Sequence, residues 1–293
     1  MNFDALESFR IFAETLNFTR AAEQRHLTQP ALHKQVQNLT QDFGVDLYGK
    51  KGRSLFLTPA GHEVARFARQ TRERLIDLQG TVEGKDSHLP ITLAAGRGSY
   101  LYLLGQGIRA FQNRNPGALR IQVNDSSGTV EAVTRGVAHM GVTVLLEEPK
   151  GLDVTPLLDV APHLVVAKHH PLSSRKSVVV ADLDDLPMIL PPQPSPLRDM
   201  VRNSIKEQNL RFNPVMEAPG WELAMHFASL GLGATIVNGC CIPPRQTKAI
   251  PLRGFPSTTY YLIERPSGQF LKAAKELRSC ILKHAGSVTL FRT

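Results

Sequence analysis

Leu32, Val36, Leu39 and Phe43 recur at spacings of four, three and four residues, which places them on one stripe of a helix. The opposite face of that stretch is polar and carries Gln29, His33, Lys34, Gln37 and Asn38. Thr28 is placed to cap the first turn through its side-chain oxygen, Pro30 sits where a missing N–H is harmless, and Gly44 is a natural stop. Upstream, Thr19 is the expected N-cap of a shorter helix. Its Ala21 and Ala22 are small enough for a second helix to cross closely, and Leu27 closes the turn. Residues 17–43 therefore read as two short helices and a tight turn. The polar face of the second offers donors to base edges and phosphates and no carboxylate, which suits a DNA groove; a merely solvated face gives the same pattern.

Past Gly44, Leu47-Tyr48 and Leu55-Phe56-Leu57 flank a turn containing Gly49, Lys50, Lys51, Gly52 and Arg53. That pattern predicts a two-stranded hairpin with a cationic tip able to reach phosphates. Thr58-Pro59 opens a third helix, in which Val64, Ala68, Thr71, Leu75, Leu78 and Val82 alternate spacings of four and three. This is a coiled-coil seam about three heptads long, read as a dimerisation helix, although a helix packed on its own domain has the same period. Gly84–Pro90 breaks both the period and the apolar pattern and is read as a linker.

Beyond it the pattern changes to short apolar runs separated by helical stretches. The runs are Ile91–Ala95, Leu119–Val123, Val142–Leu145, Leu164–Ala167, Met188–Leu190, Val215–Ala218 and Ala234–Val237. Helices are expected near Leu101–Phe111, Val130–Arg135, Leu197–Gln208, Glu222–Leu230 and Phe270–Lys283. The remainder is α/β, and the 293 residues suffice for two or three domains.

The order FTRAAE, TQPALHKQV, FGVDLY and GRSLFLTPAG resembles the winged helix-turn-helix of LysR-type transcriptional regulators. The resemblance is dense over about sixty residues. It implies groove-facing positions at Thr28, Gln29, Pro30, His33 and Lys34, with Lys50 and Arg53 on the wing; Gln37, Asn38 and Lys51 extend that set from the residue pattern. Where the family usually has Ser-Arg this chain has His33-Lys34, so a different operator preference is expected. A weaker framework follows in TVEAVTRGVAHMGV, KHHPL, VADLDDLPMIL and FASLGLGATIV, with His139 where the family often has an acid. It implies a two-lobed, periplasmic-binding-protein-like effector domain with crossovers near Val160–Pro162 and Glu264–Pro266, a ligand cleft between the lobes, and a last helix returning to the first lobe. The expected organisation is an all-α winged helix-turn-helix head over 1–59, a linker helix over 60–84, and a hinge over 85–90. Lobe I then takes 91–161 and 266–293, and lobe II 162–265.

In doubly wound sheets ligands bind beyond the carboxyl ends of strands, where helix N-termini direct amides outward. The turns there contain Gly98, Ser99 and Tyr100, then Ser127 and Thr129, then Ser195 and Leu197, and finally Trp221, the single tryptophan. Hydroxyls and amides at helix starts suit a carboxylate or other oxyanion, so a small effector is expected, with anions among the candidates. Each hydroxyl taken alone is equally an ordinary N-cap.

Other chemistries are poorly supported. Gly96-x-Gly98 lacks a third glycine in register, which argues against a dinucleotide site. His163, His169 and His170 lack a second ligand group at metal spacing, and Cys240, Cys241 and Cys280 lack a redox-motif spacing. No cofactor is expected, nor a catalytic set. The start of the chain, MNFDALESF, is not a signal sequence, and no apolar run could span a membrane, so a cytoplasmic protein is expected. The net charge of +8 is weak support for DNA, because residues 1–70 hold nine Lys/Arg against seven Asp/Glu and most of the excess lies beyond residue 89. The sequence thus predicts a DNA-binding regulator controlled by a small molecule, dimeric through its linker helix and tetrameric through its lobes. Double-stranded DNA and the effector are its partners, and RNA polymerase is a further one that such an output would engage. The competing reading is an enzyme or solute-binding protein whose N-terminal module serves only assembly.

Overall fold

The computed structural model describes residues 2–52, 54–82, 90–193, 195–266 and 272–285. The chain opens with α1 (Phe3–Thr15), α2 (Phe18–Arg25) and α3 (Gln29–Phe43), followed by the hairpin β1 (Tyr48–Lys51) and β2 (Ser54–Leu57) and the long α4 (Pro59–Val82). Phe9 and Phe12 of α1, Ala21 and Ala22 of α2 and Leu32, Val36 and Leu39 of α3 share one core with Val64, Ala65 and Ala68 of α4. Each buried Phe or Leu contributes about 1.5–3 kcal/mol, so this small module holds together around its aromatic residues.

Three local expectations need correction or division. Asn17, not Thr19, caps α2, because Phe18 is already helical; the Asn17 side chain accepts from the Arg20 amide at 3.1 Å. Thr28 caps α3 by accepting from the Ala31 amide at 3.3 Å, and Gly44 ends it in the left-handed region at φ 67°. Phe43 is 41% exposed, and Leu47 completes the core instead. On α4 the heptad seam divides. Val64 and Ala68 are buried in the head, whereas Leu78 and Val82 are 59% and 78% exposed.

The rest of the chain forms two lobes. Lobe I contains β3 (Ile91–Ala95), α5 (Arg97–Tyr102), α6 (Gly105–Gln112), β4 (Leu119–Val123), α7 (Ser126–Thr134), β5 (Met140–Val144) and β6 (Asp153–Val160). The chain crosses at Ala161 into lobe II, with β7 (Pro162–Ala167), β8 (Val178–Val179), β9 (Met188–Leu190), α8 (Pro196–Glu207), β10 (Pro214–Glu217), α9 (Trp221–Ser229), β11 (Thr235–Asn238) and β12 (Thr247–Arg253). It then returns as β13 (Thr258–Glu264) and α10 (Lys272–Ala285). The first sheet has the order β4-β3-β5-β13-β6 and the second β11-β7-β12-β8. Strand β3 runs parallel to β4 and β5, and β13 runs antiparallel to both β5 and β6. Because β13 belongs to the first sheet, the return crossing lies between Arg253 and Thr258 rather than near Glu264–Pro266. The stretch expected as one helix near Leu101–Phe111 is two, α5 and α6. Gly107 lets α6 approach α10 closely, since a Cβ there would lie 3.1 Å from the Ile281 Cα. The expected hinge over 85–90 falls, except for Pro90, outside the described residues.

Glu7 ties the head to α4. It is 7% exposed, accepts from Arg10 Nε and Nη2 at 2.9 Å each, and lies 3.9 Å from Arg72 of α4. Burial pushes its carboxyl upward, but the hydrogen bonds and charge of Arg10, with Arg72 and Arg25, hold it below the ordinary 4.5. A lowered carboxylate stabilises the fold above about pH 4.5 and loses that contribution as pH falls through its folded pKa. Glu7→Gln is expected to lower head stability by about 1–3 kcal/mol at pH 7. The deficit should shrink below pH 4.5 in urea melts followed across pH.

Candidate DNA-binding and effector sites

On α3 the residues Gln29, Pro30, Lys34, Gln37 and Asn38 are exposed, opposite the enclosed stripe of Leu32, Val36 and Leu39. Thr28 is exposed as well, its hydroxyl held by the cap. His33 differs from the others. Its imidazole lies 4.8 Å from the Phe18 ring, centroid to centroid, and Phe18 in turn stacks at 4.2 Å on Phe12 and meets Tyr48 of the hairpin edge-on at 5.5 Å. The half-buried His33 ring is therefore aimed by an aromatic chain that runs from the head core to the wing. Thr19 Oγ1 lies 3.4 Å from Gln29 Oε1, which links α2 to the start of α3.

In the hairpin, Lys51 pairs with Ser54 across the tip, which includes Gly52. Gly52 has φ 61°, a conformation that favours glycine. Lys50 and Lys51 are exposed; Arg53 lies outside the described residues. The sequence did not single out Phe18, because an aromatic residue in a helix reads first as core, and it marked Tyr48 only as part of the hairpin.

Two of the strand-to-helix turns, one from each lobe, meet. Trp221, the first residue of α9, packs flat on Gly98 of α5; a Cβ on Gly98 would lie 2.5 Å from Trp221 Cζ3. Tyr102 is 6.4 Å from the indole. Asn124 and Gly96 adjoin through the Asn124 amide, which donates to Ala95 O at 3.1 Å, and this sets the start of α7 beside α5. Ser99 is buried in the first turn of α5, and Ser127 in that of α7 is exposed with its hydroxyl donating to Asp125 Oδ1 at 3.1 Å.

The remaining candidates have structural work within their lobes. The Tyr100 hydroxyl faces Leu93 O at 2.6 Å and Gln122 O at 3.1 Å, and burial pushes its pKa up to about 12. Thr129 is fully enclosed, with its hydroxyl donating to Asp125 O at 2.8 Å. Ser195 is a plain N-cap, accepting from the Arg198 amide at 3.4 Å, and Leu197 packs against the lobe II core.

Two carboxylates that the sequence patterns do not mark sit at this convergence. Asp125 caps α7 by accepting from the Gly128 amide at 2.7 Å. Glu222 lies in the first turn of α9 with Oε1 buried and without a hydrogen-bond partner. Both occupy helix N-termini, where a negative charge is stabilised by the amides. Among the described residues no cluster of His, Cys, Asp or Glu is placed to hold a metal ion. His170 instead caps a short turn by accepting from the Leu172 amide at 3.1 Å. Cys240, Cys241 and Cys280 are buried and free, and burial pushes the Cys241 thiol up.

Gly98→Ala is expected to push the indole out of its seat and red-shift the emission of the single tryptophan. The strain should cost about 1–3 kcal/mol. Gly105→Ala, where an added Cβ meets nothing within 4 Å, should leave the spectrum unchanged.

Residues 3–62 match the family described as bacterial regulatory helix-turn-helix protein, lysR family, and residues 85–286 match the LysR substrate binding domain. The chain is similar to the HTH-type transcriptional activator CmpR of Synechocystis sp., 27% identical over 97% of this chain and 96% of that protein. It is also similar to the RuBisCO operon transcriptional regulator of Allochromatium vinosum, 26% identical over 96% of this chain and 95% of that one. A full-length OxyR variant from Pseudomonas aeruginosa shares the fold with a TM-score of 0.77 at 21% identity, covering 100% of this chain and 99% of that structure. CbnR complexed with its target DNA shares it with a TM-score of 0.60 at 21% identity, covering 97% of this chain and 100% of that one. With a DNA-binding head and an effector domain both matched, the chain belongs to the LysR family of bacterial transcriptional regulators, which are not enzymes.

Proposed function

We propose that α3 enters the major groove with Thr28, Gln29, Pro30, His33, Lys34, Gln37 and Asn38 toward the bases and backbone. Lys50, Lys51 and Arg53 of the wing then neutralise phosphates beside it. The observation that carries this reading is the division of α3: Leu32, Val36 and Leu39 are fully enclosed, whereas Gln29, Lys34, Gln37 and Asn38 on the opposite face are polar, uncharged or cationic, and exposed. The exposed Leu78 and Val82 at the far end of α4 support a second copy pairing there, which would set two heads on a pseudo-palindrome. A tetramer would follow through the lobes, and the proposed setting is the cytoplasm, with RNA polymerase as the further partner. No described helix is long and apolar enough to cross a membrane.

The proposed units are the head 1–59, the linker helix 60–84, the hinge 85–90 and two lobes. Lobe II begins at 162, and the chain returns to lobe I through the segment before β13. The effector binds where the lobes meet, against Gly98, Ser99, Ser127 and Trp221, with Glu222 added to the set. Since Asp125 and Glu222 already hold the helix N-termini there, a ligand that offers hydrogen-bond donors fits that end of the cleft better than a bare carboxylate.

The test is the salt dependence of DNA binding. Changing both Lys50 and Lys51 to Ala should make the slope of log K against log salt shallower by roughly 1.8, about 0.9 for each phosphate that is no longer neutralised. The melting temperature should stay unchanged. An unaltered slope in fluorescence-anisotropy titrations would remove the wing from the interface.

A further inference from the structure

Helix α7 has its two ends in different functional regions. Its N-terminus, capped by Asp125, adjoins the turn of α5 on which Trp221 rests. Its nine residues span about 13 Å at 1.5 Å per residue. At the other end, the last carbonyls of the helix are taken by two guanidinium groups from outside it. Arg265, 9% exposed and just beyond β13, donates through Nη1 to Val133 O at 2.9 Å and Ala138 O at 3.1 Å. Arg69 of the linker helix α4 donates to Arg135 O, the C-cap residue. Two cations at the negative end of one helix dipole form a favourable, directional joint.

The joint extends to neighbouring residues. Gly136 has φ 70°, and a side chain there would meet Arg265 Nη1 at 2.8 Å and Arg66 Cγ at 3.6 Å, so the turn is bare where the linker helix crosses it. His139 accepts the Thr92 amide on Nδ1 at 2.9 Å, which assigns the proton of the neutral ring to Nε2. That nitrogen lies 3.3 Å from Glu73 Oε1 of α4, close enough for attraction although the angle falls short of a hydrogen bond. Burial pulls Arg69 and Arg265 below their ordinary basicity. At its far end α7 is fixed to the sheet, because Gly141 of β5 leaves room for the Thr129 methyl.

We propose that the C-terminus of α7, His139 and Arg265 form a docking joint for Arg69 and Glu73 of the linker helix. This joint mounts the DNA head on lobe I of its own chain, so that α7 connects the effector cleft to the head in cis. Arg69 and Glu73 are then positioning residues for the head rather than DNA contacts. The inference rests on the regulator reading but not on which residues touch the effector.

The test uses the full-length protein with Arg69→Met, Glu73→Gln and the conservative Arg69→Lys. Hydrogen exchange should speed up about tenfold at the amides of Gly136, Val137 and Ala138 in R69M, to a lesser degree in E73Q, and be restored in R69K. DNA bending is then measured on a duplex that the unmodified chain selects from a random pool, and affinity on a duplex carrying one half-site. The expected result is a changed bend angle in R69M and E73Q with half-site affinity within twofold. Unchanged exchange in both variants would show that the joint does not form in solution, and an unchanged bend would show that it does not set the head; either result overturns the proposal. A half-site affinity that falls in step with the full duplex would assign Arg69 to the head itself and also overturn it. If R69M fails to fold, the E73Q measurements decide alone. Failure of wild-type protein to bind any duplex would instead count against the regulator reading.

Discussion

Val64, Ala65 and Ala68 of α4 are buried in the same core as Phe9 and Phe12 of the head, and that packing makes the linker helix a rigid extension of the DNA-binding module. An α-helix cannot bend within a turn without a local break in its hydrogen bonds. Once the first half of α4 is fixed, the positions of Arg69, Arg72 and Glu73 follow. The Glu7–Arg10 pair reaches Arg72 from the head side, and Arg69 and Glu73 reach lobe I from the other. One helix thus carries packing at its start, polar contacts in its middle and an exposed apolar seam at its end.

The division of labour along α4 explains why its sequence is ambiguous. A heptad period states only that one stripe is apolar, and a stripe can face another copy or the chain's own core. Here it does each in turn: Val64 and Ala68 are enclosed in the head while Leu78 and Val82 remain open. In the same way α3 presents an enclosed stripe and a polar face, and His33 sits on the border between them, its ring steered by Phe18.

The lobes place their chemistry through close approaches that require small residues. Gly98 admits the face of Trp221, Gly107 admits α10, and Gly141 admits the Thr129 methyl. Several hydroxyls in the strand-to-helix turns serve their own backbone, as in Tyr100, Thr129 and Ser195. Carboxylates sit at two helix N-termini, Asp125 at α7 and Glu222 at α9, where the amides stabilise negative charge.

Local patterns were enough to identify α2, α3, the hairpin and α4, because caps, turns and helical period depend on neighbours a few residues apart. Thr28, Pro30, Gly44 and Gly52 all act over that range. Strands β6 and β12 are not evident, since Pro156, Asp159 and Pro251 interrupt their apolar runs, and these strands and β13 take their stability from pairing with partners up to about a hundred residues away. The sheet to which β13 belongs is likewise a matter of pairing, which is why the return crossing shifts. Tertiary structure also decided which groups face each other: Trp221 with Gly98, Arg69 with the end of α7, and Glu73 with His139. A sequence specifies the groups and their local geometry, but contacts between distant segments depend on how the packed elements are oriented, and no short-range period encodes that.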